Sequence, residues 1–292
     1  MQMRQPAGRV AYEPSSLQAD SPRETPTGFR SFGAAMREGG KARLRAESFA
    51  DHYSQARMFY RSQSDVEQAH IAYALVFELS KVDTAAVRAR VVGHLRHVDA
   101  DLAKRVADGL GMDALPPAPK PALPPQDLLP SPALRLIDKT PPMLQGRAIG
   151  ILVDDGSDAR TVAALRKAAE AEGAAVKIVA PKIGGAKLRG GKHMPADRKL
   201  DGMPSVIFDA VAVVLAPAAG ETLAAEAAAV DWLRDAFSHL KAIARTAGAA
   251  PLLEAAGIGE DAGVVDAGDV AAFLEQAATR QWAREPTLRS LP

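Results

Sequence analysis

Residues 147–180 read RAIGILVDDGSDARTVAALRKAAEAEGAAVKIVA. Ala148 to Val153 is an unbroken apolar run, Ser157 can cap a helix that ends at Gly173, and Val176 to Ala180 is a second apolar run. Strands exposed to water on one face alternate apolar and polar residues, so two continuous runs predict strands covered on both faces. The unit is therefore strand, helix, strand, with the helix as a crossover between parallel strands.

The same rhythm continues towards the C-terminus. Ala210 to Ala216 predicts a third strand, followed by a long helix carrying Val230, Leu233, Phe237 and Leu240 on one side. Ala242 to Thr246, a short helix near Pro251 to Ala256, Val264 to Asp266 and a last helix from Asp269 complete the series. Such alternation implies an α/β fold: a doubly wound parallel sheet of the flavodoxin-like kind over residues 144–292.

Upstream, residues 113–143 contain ten prolines between Pro116 and Pro142, which forbid a continuous helix and favour an extended, stiff linker. The segment is expected to act as a spacer between two domains. Before it, Ser64-Asp65-Val66-Glu67 has the spacing of a capping box, and Ile71, Ala74, Leu75 and Phe77 to Leu79 give the following helix an apolar face. Asp83 is placed to cap a second helix through Val87, Val91, Leu95 and Val98, and Asp99 a third through Leu102, Val106 and Leu110. Residues 47–112 are thus read as a small all-helical unit, and residues 1–46, which lack periodicity, as either an extended arm draped over another surface with Tyr12, Leu17, Phe29 and Phe32 as anchors, or a disordered tail.

Composition narrows the function. With 47% hydrophobic and 24% charged residues over 292 positions, the chain is globular. A net charge of +1 supplies no field to steer it to nucleic acid or an anionic membrane, and neither is expected as a partner. The absence of cysteine rules out disulfides, thiolate metal sites and a thiol nucleophile within the chain. The opening MQMRQPAGRVAYEPSSLQADSPRE has no signal-peptide core, so a cytoplasmic location is expected.

Four constellations contain residue types that could carry chemistry. Asp154, Asp155 and Gly156 follow the first strand, where open α/β sheets bind ligands, but two acids repel a phosphate and read better as a capped turn. KLRGGKH at 187–193 lacks the register of a phosphate loop, because Ala186 and His193 stand where Gly and Ser or Thr are required. Gly190-Gly191 reads as a hairpin turn, and Lys182, Lys187, Arg189, Lys192, Arg198 and Lys199 as its solvated basic surround. His94, His97 and Asp101 could share a helix face and hold a metal, though spacing alone supports it. Ala247-Gly248, after a strand, occupies the place where hydrolases of related architecture carry a nucleophile, and alanine has no attacking atom.

GRVAYEPSSL with PRETP, SFADHYSQARMFYRSQSDVEQAHIAYALVFELSKV, and RARVVGHLRHVDADLAKRVADGLGM closely resemble the wrapping segment and C-terminal helices of haem catalases. Residues 144–292 resemble the additional flavodoxin-like domain, related to class I glutamine amidotransferases, of large-subunit catalases. The resemblance implies a homotetramer interlocked by the arm, working in oxidative stress defence by disproportionating hydrogen peroxide at a haem. It also implies that the haem-ligating tyrosine and the distal His and Asn lie upstream of Met1. Tyr12, Tyr53, Tyr60 and Tyr73 are outside the family's haem-ligand motif. The expectation is a C-terminal fragment without the haem barrel, with no catalytic, cofactor-binding or metal residue of its own, haem belonging to the parent family only. The alternatives are a folding or assembly module for a separate catalase core, and a cryptic hydrolase or amidotransferase-like domain.

Overall fold

The computed structural model describes residues 44–289, so the proposed arm lies almost wholly outside the described residues. The chain divides into two compact units, one up to Arg135 and one spanning Leu136–Leu291.

The first unit contains α1 (Ser54–Ser62), α2 (Asp65–Ser80), α3 (Ala85–Val98) and α4 (Ala100–Gly109). The capping box forms as the spacing requires: the Ser64 hydroxyl accepts from the Glu67 amide, and the Glu67 carboxylate accepts from the Ser64 amide. Asp99 caps α4 by accepting from the Asp101 and Leu102 amides at 2.9 and 3.4 Å. Asp83 does not cap α3; the N-cap residue is Thr84, one position later, and it makes no side-chain cap bond. Tyr60, Ala72, Leu79, Val92, Leu102 and Val106 form the core of this unit.

Helix α1 has no counterpart in the sequence reading, because Ser54 and Ser62 are among the few residues it buries. Their burial is explained by the proline-rich segment. Ser54 Oγ accepts from the Gln126 amide at 2.7 Å and Ser62 Oγ from the Ser131 amide at 2.8 Å. The Arg57 guanidinium pairs with Asp127, and Arg96 and His97 bond the Pro116 and Pro119 carbonyls at 2.9 and 2.6 Å. The segment is extended, as its prolines dictate, but up to Arg135 it belongs to the helical unit rather than standing clear as a spacer. Gly93 permits this contact, since a β-carbon there would lie 2.6 Å from the Pro117 carbonyl oxygen. Gly93→Ala is therefore expected to cost about 1–3 kcal/mol and to lift the segment, read as faster proteolysis between residues 113 and 127.

The second unit runs β1 (Ala148–Val153), α5 (Ala159–Ala171), β2 (Ala175–Ala180), β3 (Ala186–Lys187), β4 (His193–Met194), β5 (Arg198–Lys199), β6 (Ala210–Val214), α6 (Pro217–Ala224), α7 (Ala227–Ser238), β7 (Ile243–Arg245), α8 (Ala250–Ala255), β8 (Val264–Asp266), α9 (Val270–Ala277) and α10 (Glu285–Leu288). The main sheet has the order β5-β2-β1-β6-β7-β8 and every pairing in it is parallel. This is the flavodoxin-like arrangement with a short extra edge strand. The apolar runs are continuous because each strand feeds two cores. Ile149, Ile151 and Val153 meet Val162, Leu165 and Phe273 on one face. Leu152, Val211 and Val213 meet Leu223, Trp232 and Leu252 on the other.

Two details differ from the sequence reading. The single long helix is two, with α6 opened by Pro217, and Leu240 leaves α7 in a left-handed conformation at φ 58°. Among the described residues, no helix is long and apolar enough to cross a membrane.

Candidate functional site

In an open parallel sheet the strand order reverses direction beside β1, and ligands bind beyond the carboxyl ends of the strands there. The turn after β1 places Asp154, Asp155, Gly156 and Ser157 at this point. Ser157 does not cap α5. Its hydroxyl faces the carbonyls of Asp154 and Val214 at 2.7 and 2.6 Å, tying the ends of β1 and β6 together. The cap is Asp158, whose carboxylate accepts from the Arg160 and Thr161 amides, both at 2.9 Å. The free amides that would hold a phosphate at this helix start are thus satisfied by the chain's own carboxylate.

The β3–β4 hairpin closes the turn from above. Gly190 and Gly191, both at φ 88°, make its tip, as the Gly-Gly pair suggested. Its first strand docks on the turn through three bonds: Gly156 amide to Lys187 carbonyl at 2.8 Å, Lys187 amide to the Asp155 carboxylate at 2.7 Å, and Arg189 amide to Ser157 carbonyl at 2.9 Å. The backbone of Lys187 therefore plugs the turn, with both its amide and its carbonyl spent there. What stays open is a crevice of about 500 Å³ beside it, lined by Asp154, Asp155, Lys182, Asp201, Thr222 and Glu226 among others. Lys199 at its rim is paired with Asp201.

Burial raises the Asp158 carboxyl less than its bonds lower it; the Thr161 amide is the largest cause, and the net direction is below the ordinary carboxylate range. A lowered carboxyl stabilises the fold above its unfolded pKa and loses that contribution as the pH falls through the folded one. Asp158→Ala is expected to cost about 1 kcal/mol at pH 7 and nothing at a pH well below 3, measured by urea unfolding across that range.

Ala247 begins a single tight turn directly after β7, at the position of a nucleophile elbow. Neighbouring backbone fills the space: a β-carbon on Gly248 would lie 2.3 Å from the Leu215 carbonyl oxygen, and one on Gly220 would lie 1.9 Å from that of Gly248. The nearby Thr246 hydroxyl is engaged by the Leu215 amide and carbonyl at 3.0 and 2.9 Å.

His94, His97 and Asp101 do not converge. His94 Nδ1 bonds the Tyr53 hydroxyl at 2.7 Å, His97 bonds the Pro119 carbonyl, and Asp101 pairs with Arg105 at 2.6 Å. Desolvation, then the neighbouring His97, holds His94 below the usual imidazole range. Among the described residues no group of three or more His, Asp or Glu could hold a metal ion. The described tyrosines do not fit a haem iron either. Tyr53 is engaged by His94, Tyr60 is sealed in the helical core, and Tyr73 lies on the surface of α2 stacked on Phe77. Tyr12 lies outside the described residues.

These features define a small helical domain followed by a flavodoxin-like α/β domain whose phosphate turn and elbow are filled by its own chain. Residues 46–110 match the family model described as Catalase-related immune-responsive, and residues 145–280 match the C-terminal domain found in long catalases. The chain belongs to the large-subunit catalases and corresponds to their C-terminal part. It is 48% identical to Catalase C of Rhizobium meliloti over 99% of this chain and 42% of that protein. It is 38% identical to Catalase HPII of Pseudomonas aeruginosa over 98% of this chain and 41% of that protein. The chain thus spans about two fifths of the length of the curated relatives it matches.

Proposed function

We propose that this chain is a structural, non-catalytic region of a large-subunit catalase, a cytoplasmic homotetramer that converts hydrogen peroxide to water and oxygen at a haem held elsewhere in the whole protein. The observation that carries the reading is that the hairpin, Asp158 and the Gly220–Gly248 contact use the positions where this fold class holds a cofactor phosphate or a nucleophile. Purified and mixed with haem, the chain is expected to show no Soret band shift from free haem and no peroxide turnover. A coordinated haem spectrum with turnover overturns the reading.

A second reading, an assembly module for a separate catalase core, is favoured by one feature of the helical unit. Phe49, Phe59, Tyr73 and Phe77 are exposed, Phe49 at 67%. Tyr73 and Phe77 stack on each other on α2, and contiguous exposed apolar surface is what a partner chain covers. Coexpression with a catalase core is expected to give one complex on size exclusion; independent elution removes this reading and leaves the first intact.

A further inference from the structure

All the sulfur of this chain is thioether. With no cysteine, hydrogen peroxide meets no thiol here, and the eight methionines are the only sulfur it can oxidise. Met58, Met112, Met143, Met194 and Met203 lie among the described residues. Met112 packs against the helical core, Met194 against the core that holds Ile149 and Leu165, and Met203 against the core that holds Trp232, whose indole nitrogen donates to the Met203 carbonyl at 3.0 Å. Met58 is half-buried on α1. Met143 alone of the five is exposed, at 44%. Its backbone is fixed on both sides: its amide donates to the Pro141 carbonyl at 2.9 Å, and the next residue, Leu144, is buried in the core of the α/β unit. A flexible thioether thus stands in water at a held point of the backbone, a few residues ahead of β1.

A thioether has no proton to lose, so it reacts with peroxide without the deprotonation a thiol requires. The sulfur lone pair attacks one peroxide oxygen, the S–O bond forms as the O–O bond breaks, and the departing hydroxide takes the proton of the transferred oxygen. One thioether and one hydrogen peroxide give one sulfoxide and one water; the sulfur is oxidised and the peroxide reduced. The place of the sulfur decides the cost of the product. A sulfoxide is polar, and on Met194 or Met203 its oxygen would enter apolar packing, whereas on Met143 it enters water. We propose that Met143 is a peroxide-modification site, a surface thioether converted to the sulfoxide ahead of the core-packed methionines and bearing the change without loss of fold. The sulfoxide is also the rung of methionine oxidation that reductases reverse. That peroxide is the oxidant it meets rests on the catalase reading; the reactivity of the sulfur does not.

The test treats the purified chain with an equimolar dose of hydrogen peroxide and follows each methionine by peptide mass spectrometry. The Met143 peptide is expected to gain one oxygen about fivefold or more faster than the Met194 and Met203 peptides. Chain carrying only the Met143 sulfoxide should keep the melting temperature of the untreated chain. Met143→Leu keeps an apolar side chain of similar size, and at the same dose its oxygen should be redistributed to the remaining methionines. Oxidation of Met143 no faster than that of Met194 or Met203, a fall in melting temperature that tracks the Met143 sulfoxide, or no redistribution in the variant overturns the proposal. Oxygen release from peroxide by the chain itself, read separately with an oxygen electrode, would defeat the non-catalytic reading instead.

Discussion

Arg284→Ala is expected to lower the melting temperature of the α/β unit by about 10 °C, the result of losing about 3 kcal/mol when a buried guanidinium is removed from a partly exposed carboxylate and two backbone carbonyls. The Arg284 side chain is almost fully buried and makes four bonds. Nε and one terminal nitrogen hold the Asp261 carboxylate at 2.6 and 2.8 Å, and the other terminal nitrogen donates to the carbonyls of Phe237 and Lys241 at 3.2 and 2.9 Å. The guanidinium also lies 4.0 Å over the Phe237 ring. Truncation strands a carboxylate and two carbonyls together, so the loss exceeds that of a surface pair. Arg284→Lys keeps the charge but not the planar fork, and is expected to recover less than half of the loss. Burial raises the Asp261 carboxyl, but the hydrogen bond and charge of Arg284 outweigh it and the net direction is down. The pair's contribution is therefore present above the ordinary carboxylate pKa and is lost as the pH falls through the lowered one. Wild type and Arg284→Ala should accordingly draw closer in stability in acid, with the part owed to the two carbonyls remaining, a comparison that thermal scans at pH 7 and in acid make directly.

Gly220→Ala is expected to have a comparable effect through packing. Its new methyl would meet the Gly248 carbonyl oxygen at 1.9 Å, and that oxygen belongs to backbone already pressed against Leu215. The gain of about 1 kcal/mol from alanine in a helix is outweighed by overpacking of about 3 kcal/mol or more. Urea unfolding should show a lower midpoint at unchanged slope. Gly184→Ala is the control: nothing lies within 4 Å of its added carbon, and it should be close to neutral.

The parts of this fold legible in sequence are those where one chemical signal dominates. The bounds of Ala148–Val153 and Val264–Asp266 are legible because their apolar runs are flanked by acids or glycine, and the cap of Ser64 with Glu67 because two side chains must agree. The misreadings arose where two neighbours are equally competent. Ser157 and Asp158 can each cap α5, and only the Val214 carbonyl across the sheet recruits the serine elsewhere. Helix α1 was missed because the proline segment that satisfies Ser54 and Ser62 lies some seventy residues downstream. At the candidate site the acids after β1 and the alanine at the elbow could be read off. The plug could not, since it depends on the backbone of residues 187–189 reaching the turn.

The all-parallel sheet also dictates how the chain reaches its fold. No neighbouring strands in it can zip up from a tight turn, and β1 must find β6 some sixty residues away, with α5 and the strands β2 to β5 passing between. Loop closure on that scale has to be completed before any pairing rewards it, which makes this half intrinsically slow to mature. Helices α2 to α4 pack on one another within residues 65–109 and precede the sheet in the chain, so during synthesis they emerge first and can be packed while the sheet is still waiting for its last strand.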